Sequence, residues 1–157
     1  MYTASMFATA IRAEAEIEAP IEQVWSVLRD IPNYAAWNPF TPRIDTTLEL
    51  GTPVMLHVAM KLGRPLLVQK EIMSRYEEGR LMAWGDVMGA APLLKFERIQ
   101  ELTALSATRT RYFTEDAFSG ALVPVVMALY RRHIQRGFSE TAAALKAHIE
   151  QRERTLR

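Results

Sequence analysis

Three charged residues fall where the alternation of a strand would carry them inward. Asp86 stands in step with Met82, Trp84 and Met88. Asp116 stands in step with Tyr112, Thr114 and Phe118, and Arg98 with Leu94, Phe96 and Gln100. Residues two apart on a strand share a face, so each charge would lie among large apolar groups. A carboxylate placed there has its pKa raised by desolvation unless a partner offsets it, and Arg98 could be that partner. Asp86, Arg98 and Asp116 are therefore the candidate catalytic residues, a buried acid–base or ligand-orienting set. The plainer alternative puts them at strand ends, part-solvated or in a structural ion pair. A bulge at an edge would also turn the alternation over.

The other reactive residue types lead to less. His57 alternates against Val54, Leu56, Val58 and Met60, which points it to solvent. His133 borders a helical apolar stripe beside Ile134 and could reach a cavity mouth. His148 lies further along the same helix. Surface or half-buried structural roles are the ordinary ones for such histidines. The three lack metal-ligand spacing, and HExxH, Walker and GxGxxG motifs are missing. There is no cysteine, which excludes a thiolate nucleophile and a disulfide scaffold. No metal and no cofactor are expected.

The aromatic residues carry more information. Trp37, Phe40, Trp84, Phe96, Tyr112, Phe118, Tyr130 and Phe138 would converge between sheet and helix, and Leu56 and Ile134 complete the predicted ligand-binding set. Met55, Met60, Met73, Met82 and Met88 would make that interior adaptable. Side chains of this kind form a solid core as readily as an apolar pocket.

The elements that must position these residues follow from the periodicity. Residues 9–18 alternate as a strand. Pro20 opens a helix with Ile21, Val24, Trp25 and Leu28 as its stripe. A second short helix is expected from Asp30 to about Ala36, anchored by Tyr34 and Trp37, before the break at 38–42. Strands are expected at 43–48, 53–60, 66–76, 81–87, 93–102 and 108–118, with a hairpin turn at 77–80 and a loop at 89–92. From 124 to 150, Val126, Tyr130, Ile134, Phe138, Ala142, Leu145 and Ile149 recur at steps of three and four, which is one face of a helix about 40 Å long. Gly137 lies in mid-helix, where a glycine costs about 1 kcal/mol relative to Ala, so a close approach to the backbone is expected there. Arg131, Arg132 and Arg136 lie off the apolar face, on a solvated side or facing an anionic head group or lipid surface.

Six or seven consecutive strands joined by short turns pair antiparallel. One long amphipathic helix must cover a face of that curved sheet. The fold class expected is α+β, a helix grip with two short helices after the first strand.

The whole chain is compatible with one domain over residues 1–157, with a loose start at 1–8 and a frayed tail at 151–157. Apolar residues make up 49% and charged residues 24%, and the formal net charge is +1. Nothing there calls for a nucleic-acid partner. No apolar run approaches a membrane span of about 20 residues. The opening residues lack the basic region of a signal peptide, and with the absence of cysteine a cytoplasmic location is expected.

Three stretches carry a family resemblance. Residues 17–25, Ile-Glu-Ala-Pro-Ile-Glu-Gln-Val-Trp, resemble the opening of the START-like, or SRPBCC, superfamily. Tyr34-x-x-Trp37-Asn38-Pro39-Phe40 is similar to the segment that follows it in the polyketide cyclase/dehydrase-like group. Residues 110–124 look like that group's last strand and its entry into the C-terminal helix. The resemblance covers about residues 9–150 and implies the Bet v 1-like helix-grip fold. It also implies a deep, mostly apolar cavity for lipids, sterols, polyketides or hormones, with aromatic cyclisation or dehydration in some members.

Binding of a small hydrophobic molecule (lipid, polyketide or aromatic) is the function expected first. A cyclase or dehydratase using the inward polar groups is the second. The third is a protein-binding module with a filled cavity and an exposed apolar patch. The partner expected is a small hydrophobic molecule, and a homodimer is compatible with the sequence.

Overall fold

A computed structural model describes residues 7–88 and 93–157. The first six residues of the expected loose start, the loop expected at 89–92 and the side chain of Met88 lie outside the described residues. The elements run β1 (Ala8–Ile17), α1 (Ile21–Arg29), a short 3-10 helix (Ile31–Ala36), β2 (Arg43–Asp45), β3 (Pro53–Val58), β4 (Leu67–Glu77), β5 (Leu81–Met88), β6 (Leu94–Ser106), β7 (Arg109–Ser119) and α2 (Val123–Thr155). The seven strands form one antiparallel sheet in the order β1-β7-β6-β5-β4-β3-β2. The sheet curves around α2, giving the helix-grip fold.

Local chemistry sets several boundaries. Pro20 caps α1, and its carbonyl accepts from the amides of Gln23 and Val24. Val24, Trp25, Val27 and Leu28 are the buried side of α1. The Trp25 indole donates to Glu78 at 2.9 Å, which fastens this helix to the β4–β5 turn. The second helix is 3-10 rather than α, with Pro32 in its first turn. Asp30 is its N-cap residue without a side-chain bond to the helix amides; its carbonyl accepts the Asn33 amide at 3.1 Å and its carboxylate the Asn33 side chain at 2.8 Å. After it, the Asn38 side-chain oxygen accepts from the amides of Phe40 and Thr41, at 3.0 and 2.9 Å. That local turn fixes the direction in which Phe40 projects.

Several expected ends move, and β6, expected to end at Leu102, runs on to Ser106. The strand begun at Arg43 stops at Asp45, and Leu48 takes a left-handed φ of 63°. β3 ends at Val58, two residues early, where the Arg136 guanidinium takes the carbonyls of Ala59 and Met60 at 2.8 and 3.1 Å. α2 continues to Thr155, so the expected frayed tail is mostly helix. Its charged residues are the water-facing positions of the last turns, where Arg152 and Arg154 suit the negative end of the helix dipole.

The two faces of the sheet differ sharply. Outward side chains of β1 and β7 form a ladder of ion pairs: Arg12 with Glu115, Glu14 with Arg111 and Glu16 with Arg109. Inward side chains are apolar, with a few polar exceptions that define the site.

Candidate functional site

Inward residues advance along each strand from one end of the grip to the other. On β7 the order is Tyr112, Thr114, Asp116, Phe118, and on β6 it is Leu102, Gln100, Arg98, Phe96, Leu94. At the Tyr112 end the interior is filled. Tyr34 packs against Trp37 with ring centroids 4.9 Å apart. Its hydroxyl donates to the Leu28 carbonyl at 2.6 Å, and the Tyr112 hydroxyl donates to Gln100 at 2.8 Å. Burial pushes both phenols upward in pKa.

At the Phe118 end lies a cavity of about 570 Å³ between β3–β7 and the first half of α2. Phe40, Leu56, Phe96, Phe118, Tyr130, Ile134 and Phe138 line it, together with Asp86, Arg98 and Asp116. Trp37, Trp84 and Tyr112 do not. These three were expected in the lining. Trp84 and Tyr112 share inward strand faces with residues that are there, and Trp37 anchors the 3-10 helix, where it packs on Tyr34. They sit one or more steps further along, in the filled end. Of the interior methionines, Met60 lines the cavity, Met73 and Met82 are core, and Met55 is half-buried on the other face of β3. His57 lies beside Asp45 at 3.3 Å, away from the cavity. His133 and His148 do not line it either. Among the described residues, no three His, Asp or Glu side chains are grouped to hold a metal ion.

Four charged side chains come to the cavity from four adjacent strands: Glu71 from β4, Asp86 from β5, Arg98 from β6 and Asp116 from β7. Arg98 and Asp116 are direct cross-strand neighbours, yet no ion pair within 4 Å joins them. The Arg98 guanidinium lies over the Phe138 ring, 4.4 Å from its centroid, with Nε donating to Thr114 at 3.4 Å. Glu71 Oε2 and Asp116 Oδ1 are buried without a hydrogen-bond partner among the described residues. Burial is the main reason that Glu71 is pushed up to about 8; the Asp116 charge adds to this and Arg98 opposes it. Burial likewise pushes Asp116 up to about 7, against the pull of Arg98. Asp86 is exposed, and its carboxylate accepts the Val87 amide at 2.7 Å. The inward set is therefore Glu71, Arg98 and Asp116, with Asp86 at its solvent side.

Glu71 is the residue that sequence reasoning missed. The signal was present: Glu71 lies two positions before Met73, an expected interior residue, and shares its face. The bulge in β4 falls after Met73, between it and Arg75, so it leaves that relation intact.

Two features hold the cavity's shape. A Cβ on Gly137 would stand 2.2 Å from the Phe40 ring, so the glycine in mid-helix admits the aromatic wall. A Cβ on Gly85 would stand 2.1 Å from the Phe96 carbonyl, so this glycine lets β5 and β6 close up beside the charged set. Towards solvent, the cavity is bounded by the exposed residues Leu67, Val68, Lys70 and Leu122.

Residues 8–150 match the family model described as polyketide cyclase / dehydrase and lipid transport. No curated protein matches the chain. Among solved structures, the chain is similar to the Zhui aromatase/cyclase from Streptomyces sp. R1128, with TM-score 0.67 and 20% identity over 93% of this chain and 96% of that one. It is similar to norcoclaurine synthase from Thalictrum flavum in complex with dopamine and hydroxybenzaldehyde, with TM-score 0.69 and 13% identity over 94% and 89%. A START superfamily protein from Mycobacterium smegmatis gives TM-score 0.65 and 17% identity over 90% and 97%. At these identities the structural likeness speaks for the fold.

Proposed function

Because the chain belongs to the polyketide cyclase / dehydrase and lipid transport family, we propose that it binds a small, largely apolar molecule (a lipid, a polyketide or an aromatic) between the sheet and α2. One observation carries the reading: a cavity of about 570 Å³, walled by aromatic and aliphatic side chains, has Glu71, Arg98 and Asp116 gathered along its sheet side. Ligand sites commonly occupy about 300–1,000 Å³ and combine apolar walls with a few polar groups. The apolar body of the ligand would lie against Phe40, Leu56, Phe96, Phe118, Tyr130, Ile134 and Phe138. Its polar group would meet the charged set.

A second reading, a cyclase or dehydratase, is favoured by a separate observation. Glu71 and Asp116 each keep a carboxylate oxygen buried and unpartnered, and their pKa values near 8 and 7 suit proton transfer at neutral pH. Asp116 would be the base and Glu71 the acid, with Arg98 orienting the substrate. The reading of a filled interaction module finds no support in a cavity of this size.

Native mass spectrometry of gently purified protein, together with displacement of anilinonaphthalene sulfonate, tests the first reading. A co-purified apolar molecule, or probe binding that Leu56→Trp abolishes, is the expected result. A clean unliganded mass with no displaceable probe would sink it. Asp116→Asn separates the two readings: it spares binding in both and abolishes turnover only in the second.

A further inference from the structure

The exposed apolar residues of this chain are concentrated at one place. Among the described residues, seven of the thirteen large hydrophobic residues left exposed lie in two segments that flank the cavity: Leu62, Leu66, Leu67 and Val68 in and after the β3–β4 turn, and Leu122, Val125 and Leu129 at the start of α2. The two segments adjoin. Lys61 Nζ lies over the Tyr130 ring at 5.8 Å, and Arg136 reaches the carbonyls of Ala59 and Met60. Val125, Leu129, Arg132 and Arg136 follow one another at helical spacing, so the Arg136 contact turns this stripe towards the β3–β4 turn. Contiguous exposed apolar surface of this kind marks an interaction site.

Charge is segregated in the same way. Residues 59–70 contain Lys61, Arg64 and Lys70, and residues 119–139 contain Arg131, Arg132 and Arg136; neither segment has an Asp or a Glu. The chain as a whole carries a formal net charge of +1, so the remainder is net acidic and these two segments form a basic pole beside the cavity, with Asp86 across the opening from them on β5. The apolar side chains at this pole are all aliphatic. They project from two chain segments on either side of an opening, with long cationic side chains around them.

We propose that this pole docks onto an anionic lipid bilayer. Leu62, Leu66, Val125 and Leu129 enter the boundary of the acyl chains, and Lys61, Arg64 and Arg132 meet the lipid phosphates. An opening pressed against the membrane lets an apolar molecule pass between bilayer and cavity without crossing water. The docking argument stands on surface residues alone and holds whatever the cavity takes.

The test is co-sedimentation of the full chain with vesicles of phosphatidylcholine, and of an equal mixture of phosphatidylcholine and phosphatidylglycerol. Binding to the mixture but not to phosphatidylcholine alone is expected, weakening as salt is raised. Leu62→Glu with Leu129→Glu should weaken it at least about tenfold. Lys61→Glu with Arg132→Glu should do the same with unchanged melting temperature, since both pairs lie on the surface. Three outcomes overturn the proposal: equal binding to both vesicles, no binding to either, or self-association in the absence of lipid that the same variants abolish. The last would assign the face to a second copy of the chain.

Discussion

The two ends of the grip are built from the same strands with the same alternation, yet one is solid and the other hollow. At the solid end, Trp84, Tyr112, Leu102, Met73 and Met82 are all at most 1% exposed, and the second half of α2 closes over them with Ala142, Leu145 and Ile149. At the hollow end, Val126 and Tyr130 are only half-buried although they continue the same helical stripe. The difference lies in what opposes them. Towards the solid end, α1 and the 3-10 helix supply Leu28, Ile31, Tyr34 and Trp37. Towards the hollow end no such layer comes down, and the strands present Phe96 and Phe118 beside charged groups. A hydrophobic face thus does not specify a filled interior; the count of elements converging on it does.

That contrast can be broken most forcefully at Trp84. Trp84→Ala should lower unfolding free energy by about 3–5 kcal/mol, because it empties a closed volume. Phe118→Ala, which only enlarges an existing space, should lose markedly less. Equal losses in denaturant titrations would dissolve the distinction. Next comes the seam between the ends. Gly137→Ala forces Phe40 from its place and should cost about 1–3 kcal/mol by overpacking; pairing it with Phe40→Leu should restore much of the loss.

A third test uses pH. The folded-state pKa values of Glu71 and Asp116 are raised, so the folded chain holds more protons than the unfolded chain. Their effect on stability is therefore most favourable below the unfolded carboxylate range, and it is lost as pH rises towards about 8 for Glu71 and about 7 for Asp116. Glu71→Gln should flatten that decline and raise the melting temperature by ~3 °C or more on the alkaline side. An unchanged pH profile would remove Glu71 from the buried set. The smallest expected effect is from filling the hollow: Leu56→Phe should change stability by less than ~1 kcal/mol while weakening binding of an apolar probe. A large destabilisation would mean that the space is not free.

The architecture was legible because it rests on periodicities of two and 3.6. The strand run, the two short helices and the inward face of α2 follow from alternation and from spacings such as Ile134, Phe138 and Leu145. The inward placement of Arg98 and Asp116 follows from the same rule, whereas Asp86 keeps the alternation but stands exposed at the solvent side of the cavity. What periodicity does not encode is depth along a strand. Tyr112 and Phe118 share a face of β7, and nothing in their spacing says that one is core and the other cavity wall. Boundaries set by distant groups were equally hidden: β3 stops where a guanidinium from α2, 77 residues further on, takes the Ala59 carbonyl. Glu71 was equally legible from its place two positions before Met73, but its strand neighbours on that face, Gln69 and Met73, include no aromatic residue to mark it.

The pairing of β1 with β7 sets the order of assembly. Ala8 lies opposite Ser119, and Ile17 opposite Thr110, so the first strand made finds its partner only when more than two-thirds of the chain has been synthesised. Until then β1 has no partner strand, and α1 lacks the β7 and α2 surfaces it packs on. Strands β2 to β7 each pair with a neighbour in sequence, so β1 is the strand whose docking waits on contacts far apart in the chain, the kind of contact that slows folding. Chains released before Thr110 should be degraded by protease as rapidly as an unfolded polypeptide, and chains that include α2 should become resistant all at once.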